Sequence, residues 1–414
     1  MNDLTLKSQF FKAFPALAHA PFRWFWCGQI ISVIGTWTQN IGQAWLVLEL
    51  TNSPFLLGLV SAMQFLPMLL LSLHAGAWID RISKRHIIIL TQTILMILAF
   101  ALALLVGTGL IRYWMLLILA LILGVANTVD VPARQSFVIE LAGREDLTNA
   151  IALNSAIFNG GRIVGPAIAG IIMGAWGPMW CFIINGISFI GVIGILRFLP
   201  SIPQKTKSVS KQGKVWPEIK EGLSYIHKTP TILLCIALLG FMSAIAMNTN
   251  VLVPILAKMK LNQQALGYGL LMSAMGFGAL VGALTVAVRS GSKPRWGTLY
   301  TGATGLAVSS ILLGLQSNYG AAVIMLVFMG WSMITFSASV NSMIQLTVAD
   351  EFRGRVMSVY SLVFGGMTPF GSLYAGTLAH IWGAGVTFIV SGILSLLFLV
   401  GIGFQLKRHK GELR

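Results

Sequence analysis

Asp130 and Arg134 stand four residues apart inside a long apolar run. On a helix that spacing puts both on one face, where they can pair. An unpaired charge at the centre of a membrane helix costs about 2.5–3.5 kcal/mol on insertion scales. Asp130 therefore pairs with Arg134 or Arg162, or it binds and releases a proton; the residues leave both readings open. Arg162 is a guanidinium within another apolar run and needs a partner of its own, either Asp130 or an anionic ligand. His74 has an ordinary pKa near neutrality, so it is a second proton-coupling candidate as well as a candidate hydrogen-bonded interior residue. Glu49, at the end of the first apolar run, is a third candidate or an interfacial group.

A second set of polar side chains punctuates the apolar runs. Gln39, Asn40 and Gln43 lie in the first, Gln64 in the second and Asn127 in the fourth. Asn248 and Asn250 lie in the seventh, and Asn341 and Gln345 in the tenth. Amides offer donors and acceptors together. With Trp37, Trp45, Phe65 and Trp331 they suit the lining of a cavity for an amphipathic or anionic organic molecule better than a metal site. Any one of these aromatics also suits lipid contact. The chain carries no HExxH, no nucleophile elbow and no Walker A sequence, so neither an enzyme nor direct ATP drive is expected. Cys27, Cys181 and Cys235 show no C-x-x-C spacing, which supports neither a disulfide framework nor a zinc site. No metal or cofactor is expected.

The elements that hold these residues follow from composition. Of 414 residues 56% are hydrophobic and 10% charged, with mean hydropathy +0.82. Soluble domains carry roughly 25% charged residues, so the chain reads as an all-α polytopic membrane protein. Apolar runs of about twenty residues fall near 22–48, 53–79, 86–107, 112–135, 148–175 and 177–199, then near 230–256, 264–289, 295–314, 318–346, 355–380 and 383–406. Pro132 is expected to break the fourth span, and Pro166 to kink the fifth.

The net charge of +16 excludes little by itself, but the bases fall in short gaps between spans, as membrane topology demands, and form no stripe for nucleic acid. Lys7, Lys12, Arg23, Arg81, Lys84, Arg85, Arg134, Arg144, Arg353 and Arg355 fall on one side, with the 205–228 stretch, the 289–295 stretch and the tail. Arg112, Lys258 and Lys260 fall on the other. The positive-inside rule makes the base-rich side cytoplasmic, with both termini inside. The expected organisation is a cytoplasmic segment 1–21, a six-helix bundle 22–199, a cytoplasmic linker 200–229, a second bundle 230–406 and a tail 407–414. Residues 217–228 read as an amphipathic helix lying along the membrane. No signal peptide is read from residues 1–21.

The two halves read as distant repeats. Ile163-Val164-Gly165-Pro166-Ala167-Ile168-Ala169-Gly170 is echoed by Pro369-Phe370-Gly371-Ser372-Leu373-Tyr374-Ala375-Gly376, with Gly165 and Gly371 standing 206 positions apart.

Gly76-Ala77-Trp78-Ile79-Asp80-Arg81-Ile82-Ser83-Lys84-Arg85 resembles the loop between the second and third spans of the major facilitator superfamily. In that family the equivalent of Asp80 meets the start of the eleventh span and an arginine of the fourth. The resemblance thus makes Gly76, Asp80, Arg81, Arg85, Arg134 and Arg355 a conformational switch. Gly161, Arg162, Gly165, Pro166 and Gly170 resemble the fifth-span signature of that family's proton-driven exporters, with Ala169 replacing one glycine. Ala349-Asp350-Glu351-Phe352-Arg353-Gly354-Arg355-Val356 resembles a loop of the subgroup with siderophore exporters, among them enterobactin exporters, and macrolide efflux proteins.

The resemblance covers essentially the whole chain. It implies the major facilitator fold, with twelve helices in two six-helix pseudo-repeats, in a bacterial inner membrane. The expected activity is export of a small organic molecule by alternating access and proton antiport, by a monomer surrounded by lipid. A lipid or lysophospholipid flippase, or an importer, on the same fold is the alternative.

Overall fold

Lipid offers no water to backbone amides, so apolar runs of this length satisfy their N–H and C=O groups as helices. The computed structural model describes residues 12, 14–79, 82–143, 145–199, 215–289 and 296–412. Its first six long helices are α1 (Ala20–Thr51), α2 (Pro54–Ile79), α3 (Lys84–Gly107), α4 (Tyr113–Ala142), α5 (Leu147–Trp176) and α6 (Met179–Phe198). A shorter helix follows, α7 (Val215–Lys228). The remainder is α8 (Pro230–Ile245), α9 (Thr249–Ile255) with a π-turn at Leu256–Lys260, α10 (Ala265–Arg289), α11 (Trp296–Leu315), α12 (Tyr319–Thr347), α13 (Arg353–Gly366) and α14 (Thr368–Glu412). Among the described residues, 10 stretches are long and apolar enough to cross a membrane. One of these, Arg353–Leu406, has 54 residues and is interrupted at Gly383, where φ is +79°, so it makes two crossings. Helix α1, with 32 residues, is long enough for one more. The twelve-span, all-helical expectation holds.

Two local expectations are corrected. Pro132 does not break the fourth span: α4 continues through it to Ala142. Neighbouring helices and local adjustments make a proline tolerable in a membrane helix, and the stop comes at Gly143, with φ +75°. Asp130 is accordingly about three turns from the end of α4 rather than near it. The seventh span is not one helix, because α8 and α9 are separated at Ala246–Asn248. The amphipathic helix expected at 217–228 is present as α7, and one face of it packs against protein: Gly222 and Ile226 are buried, and Tyr225 stacks on Phe352 at 4.4 Å between ring centroids.

The repeat is visible in backbone and packing. Gly177 (φ +88°, ψ 170°) ends α5, and Gly383 (φ +79°, ψ 161°) interrupts α14; they are separated by the same 206 positions that separate Gly165 from Gly371. A Cβ on Gly170 would meet Gly269 Cα of α10 at 3.2 Å. One on Gly376 would meet Gly58 Cα of α2 at 2.9 Å. The fifth span thus touches the eighth as the eleventh touches the second. Lipid supplies no hydrophobic drive between helices, so close backbone approach at small residues is what holds such pairs.

The halves meet toward one end of the bundle, the end opposite α7. Trp45 of α1 stacks on Tyr268 of α10 at 5.7 Å, and Lys258 Nζ donates to Leu48 O at 2.5 Å. Nearer mid-depth, Ser61 and Ser372 share a hydrogen bond of 2.9 Å, and Ser273 Oγ donates to Ile163 O at 2.6 Å. The apolar core shows the same asymmetry. Ile41, Leu48, Leu57, Leu116 and Phe182 of the first six spans belong to one core with Leu252, Leu271, Leu326 and Phe388 of the last six. At the α7 end, Phe22, Phe25, Ile88, Phe137 and Leu196 form a separate core from the first six spans alone.

Candidate functional site

The Asp130 carboxylate is 1% exposed. It accepts from Arg134 Nε at 2.5 Å, from Thr91 Oγ1 at 2.6 Å and from Gln92 Nε2 at 3.1 Å. Arg134 extends the network by donating Nη1 to Gln29 Oε1 of α1 at 2.5 Å. Three helices therefore converge on one ion pair. A buried pair persists only with additional hydrogen bonds to its charged groups, and here Thr91 and Gln92 supply them to the carboxylate and Gln29 to the guanidinium. Of the partners considered for Asp130, the structure brings Arg134 to it. Arg162 is elsewhere.

This network forms part of the wall of a cavity of about 120 Å³. Gln39, Asn40 and Asn127 line it, with Gln29, Asn154 and Asn185. Trp37, Phe158 and Phe189 supply apolar walls. Asn185 donates Nδ2 to Gln39 Oε1 at 2.7 Å, which fixes that amide. Gln43 is buried outside this lining, and Gln64 faces α4 through its backbone, against Gly124. In the other half, Asn248 is buried at the α8–α9 break and donates to Ala244 O at 2.8 Å. Asn250 is exposed. Gln345 donates to Asn341 at 2.5 Å, one turn away on α12. Sequence reasoning missed Gln29, Thr91, Gln92, Asn154 and Asn185. Each is a polar residue in an apolar run, the signal that found Asn127.

Glu49 accepts from Trp45 Nε1 at 2.6 Å, at the joined end of the bundle. His74 and Gly76 lie within α2, but the side chains of 73–78 lie outside the described residues, as do Asp80 and Arg81 altogether. Of the remaining switch candidates, Arg355 pairs with Glu221 of α7 at 2.6 Å. Arg85 donates Nη2 to Arg197 O at 3.0 Å.

The fifth-span motif packs two ways. Gly161 and Gly165 face Val33 and Trp37 of α1, while Gly170 and the Pro166 carbonyl face Gly269 of α10. Arg162 lies between these contacts. Its Nη2 points at Met333 Sδ of α12, 3.7 Å away, and its Nε is buried without a hydrogen-bond partner.

Residues 11–413 match the transmembrane secretion effector family. The chain belongs to that family. The chain also has curated relatives that match it along most of its length. The staphyloferrin A transporter of Staphylococcus aureus is 26% identical over 94% of this chain and 98% of its own. The multidrug efflux pump Tap of Mycolicibacterium fortuitum is 28% identical over 85% of this chain and 88% of its own. Macrolide efflux protein A of Streptococcus pyogenes is 21% identical over 92% and 94%. Among solved structures, the nucleoside transporter NupG superposes with a TM-score of 0.75 at 13% identity, covering 94% of this chain and 99% of NupG. A bacterial homologue of the lysosomal transporter Spinster gives 0.71 at 14%, covering 92% and 95%. Membership makes this chain a bacterial multi-pass inner-membrane transporter of the major facilitator type rather than an enzyme.

Proposed function

We propose that this transmembrane secretion effector is a secondary active exporter of an amphipathic organic molecule of drug or siderophore type, working by alternating access and proton antiport. The observation that carries the reading is the buried Asp130–Arg134 pair on the wall of an amide-lined cavity. A proton on Asp130 would remove the negative charge that holds Arg134. The freed guanidinium and Gln29 would then repack against the cavity, so that proton and substrate compete through one network. The base-rich face, with α7 and both termini, is cytoplasmic. Residues 22–199 and 230–406 move as two bundles, linked by 200–229 in one monomeric chain. The joined end seen here is then the outer gate, closed, in a state open toward the cytoplasm. Asp80 would close the inner side in the opposite state, drawing on Arg134 and the start of α13. The substrates for which the relatives are named, staphyloferrin A, macrolides and multiple drugs, support the substrate class.

The test uses proteoliposomes with a pH-sensitive dye inside and a panel of siderophores, macrolides and lysolipids added outside. Proton movement driven by one siderophore or drug class supports the reading. Transport of a lysolipid without proton movement removes it and puts a lipid flippase in its place; inward accumulation would make the protein an importer.

A further inference from the structure

Among the described residues, Arg162 has no counter-charge. A guanidinium presents five N–H donors, and an intramembrane arginine is normally paired. Among the described residues no carboxylate lies within ion-pairing distance of it: Asp130, the acid its sequence position suggested, is held by Arg134, Thr91 and Gln92. The acceptor it does reach is Met333 Sδ, a weak one, and Nε has none. The side chain nevertheless keeps part of its surface open. Its placement is also specific. Phe158, one turn earlier on the same face of α5, lines the amide cavity, and Met333 belongs to the opposite half. The Arg162 carbonyl itself lies against Gly276 of α10. Arg162 thus sits where the two halves face each other, beyond one wall of the cavity.

We infer that Arg162 is a specificity-determining residue that binds the oxyanion group, carboxylate or phosphate, of the transported molecule. The inference rests on the exporter reading and narrows its substrate to organic anions. A guanidinium fork matches either group through two parallel N–H···O bonds. With the Asp130 charge neutralised by Arg134, the described residues of the region carry one uncompensated positive charge, which attracts an anion and repels a cation of the same shape. Trp37 and Phe158 supply the apolar surface for the body of such a molecule.

The test is equilibrium binding, so it does not depend on transport. Purified full-length protein in lipid nanodiscs would be titrated with three probes sharing one ring system: naphthoate, naphthyl phosphate and naphthylmethylammonium. Wild type is expected to bind at least one of the two anions about tenfold or more tightly than the ammonium; whichever wins identifies the group. Arg162→Gln should abolish the discrimination, and Arg162→Lys, which keeps charge but loses the fork, should retain part of it. Equal binding of all three, preference for the ammonium, no anion binding up to millimolar, or unchanged discrimination in a folded Arg162→Gln would each overturn the inference. If Arg162→Gln fails to fold, the wild-type preference and the Arg162→Lys titration decide. An anion preference with no coupled transport in proteoliposomes would retain the site and reject the exporter mechanism.

Discussion

Asp130 and Arg134 lie one turn apart on α4, with 2.5 Å between carboxylate Oδ2 and guanidinium Nε and only 1% and 16% of their side chains exposed. The same carboxylate holds Thr91 and Gln92 of α3, and the same guanidinium holds Gln29 of α1. A change of charge at one atom is therefore felt by three helices around one cavity. That coupling is what a proton-driven exporter requires of its interior.

Breaking the pair from one side should destabilise more than removing it whole. Asp130→Ala leaves Arg134 buried and uncompensated, and loss of one partner from a buried pair costs about 3–5 kcal/mol. Asp130→Ala combined with Arg134→Met should recover much of that loss while remaining inactive. Thermal unfolding of the two variants in the same detergent checks this. A double variant no more stable than the single one would show that the pair is not the relevant interaction.

The Gly58–Gly376 contact should control the joined end. A Cβ at 376 meets Gly58 Cα and Pro54 O, both at 2.9 Å, and backbone cannot swing aside as a side chain can. Overpacking costs about 1–3 kcal/mol, enough to shift two states of similar energy by roughly tenfold. Gly376→Val should fold, expose a cysteine placed at Ser61 to thiol reagents from the outer side, and slow transport by about the same factor.

Lys258 should act as a latch at that end. Its ammonium donates to Leu48 O, one of the last carbonyls of α1, where a cation is favoured by the helix dipole. Lys258→Met removes about 0.3–1 kcal/mol of that favour. The expected outcome is a small rise in outer labelling at Ser61 with unchanged thermal stability of either half.

The α7 dock should depend on aromatic stacking more than on its ion pair. Glu221 and Arg355 are substantially exposed, and such pairs contribute about 0.2–1 kcal/mol. Tyr225 stacks on Phe352 and also accepts from the Ala349 amide at 3.1 Å. Tyr225→Ala should therefore release α7 to limited proteolysis, while Glu221→Gln leaves the digestion pattern near wild type.

The number of spans and their order were legible because a lipid-facing helix must be apolar for about twenty residues, and little else meets that condition. The repeat was legible from Gly165 and Gly371 for a similar reason: only a small residue allows the backbone approach that each makes. Partners were not legible. Asp130 had two arginines within plausible reach, and nothing in the spacing shows that α3 brings Thr91 and Gln92 to the same carboxylate. Pro132 misled because propensity describes a lone helix, whereas here neighbouring helices carry α4 past it. The break at Ala246–Asn248 has no sequence mark of its own; Asn248 reads as one more polar residue in an apolar run until its packing against Gly371 is seen.

The most direct test of the central claim separates coupling from binding in one variant. Asp130→Asn would be reconstituted and assayed twice with the substrate identified by the panel, once for substrate exchange at equal concentrations and once for uphill accumulation driven by a pH gradient. If Asp130 carries the proton, exchange persists and uphill accumulation is lost. Uphill accumulation at the wild-type level in Asp130→Asn would contradict the account and move the coupling site away from α4.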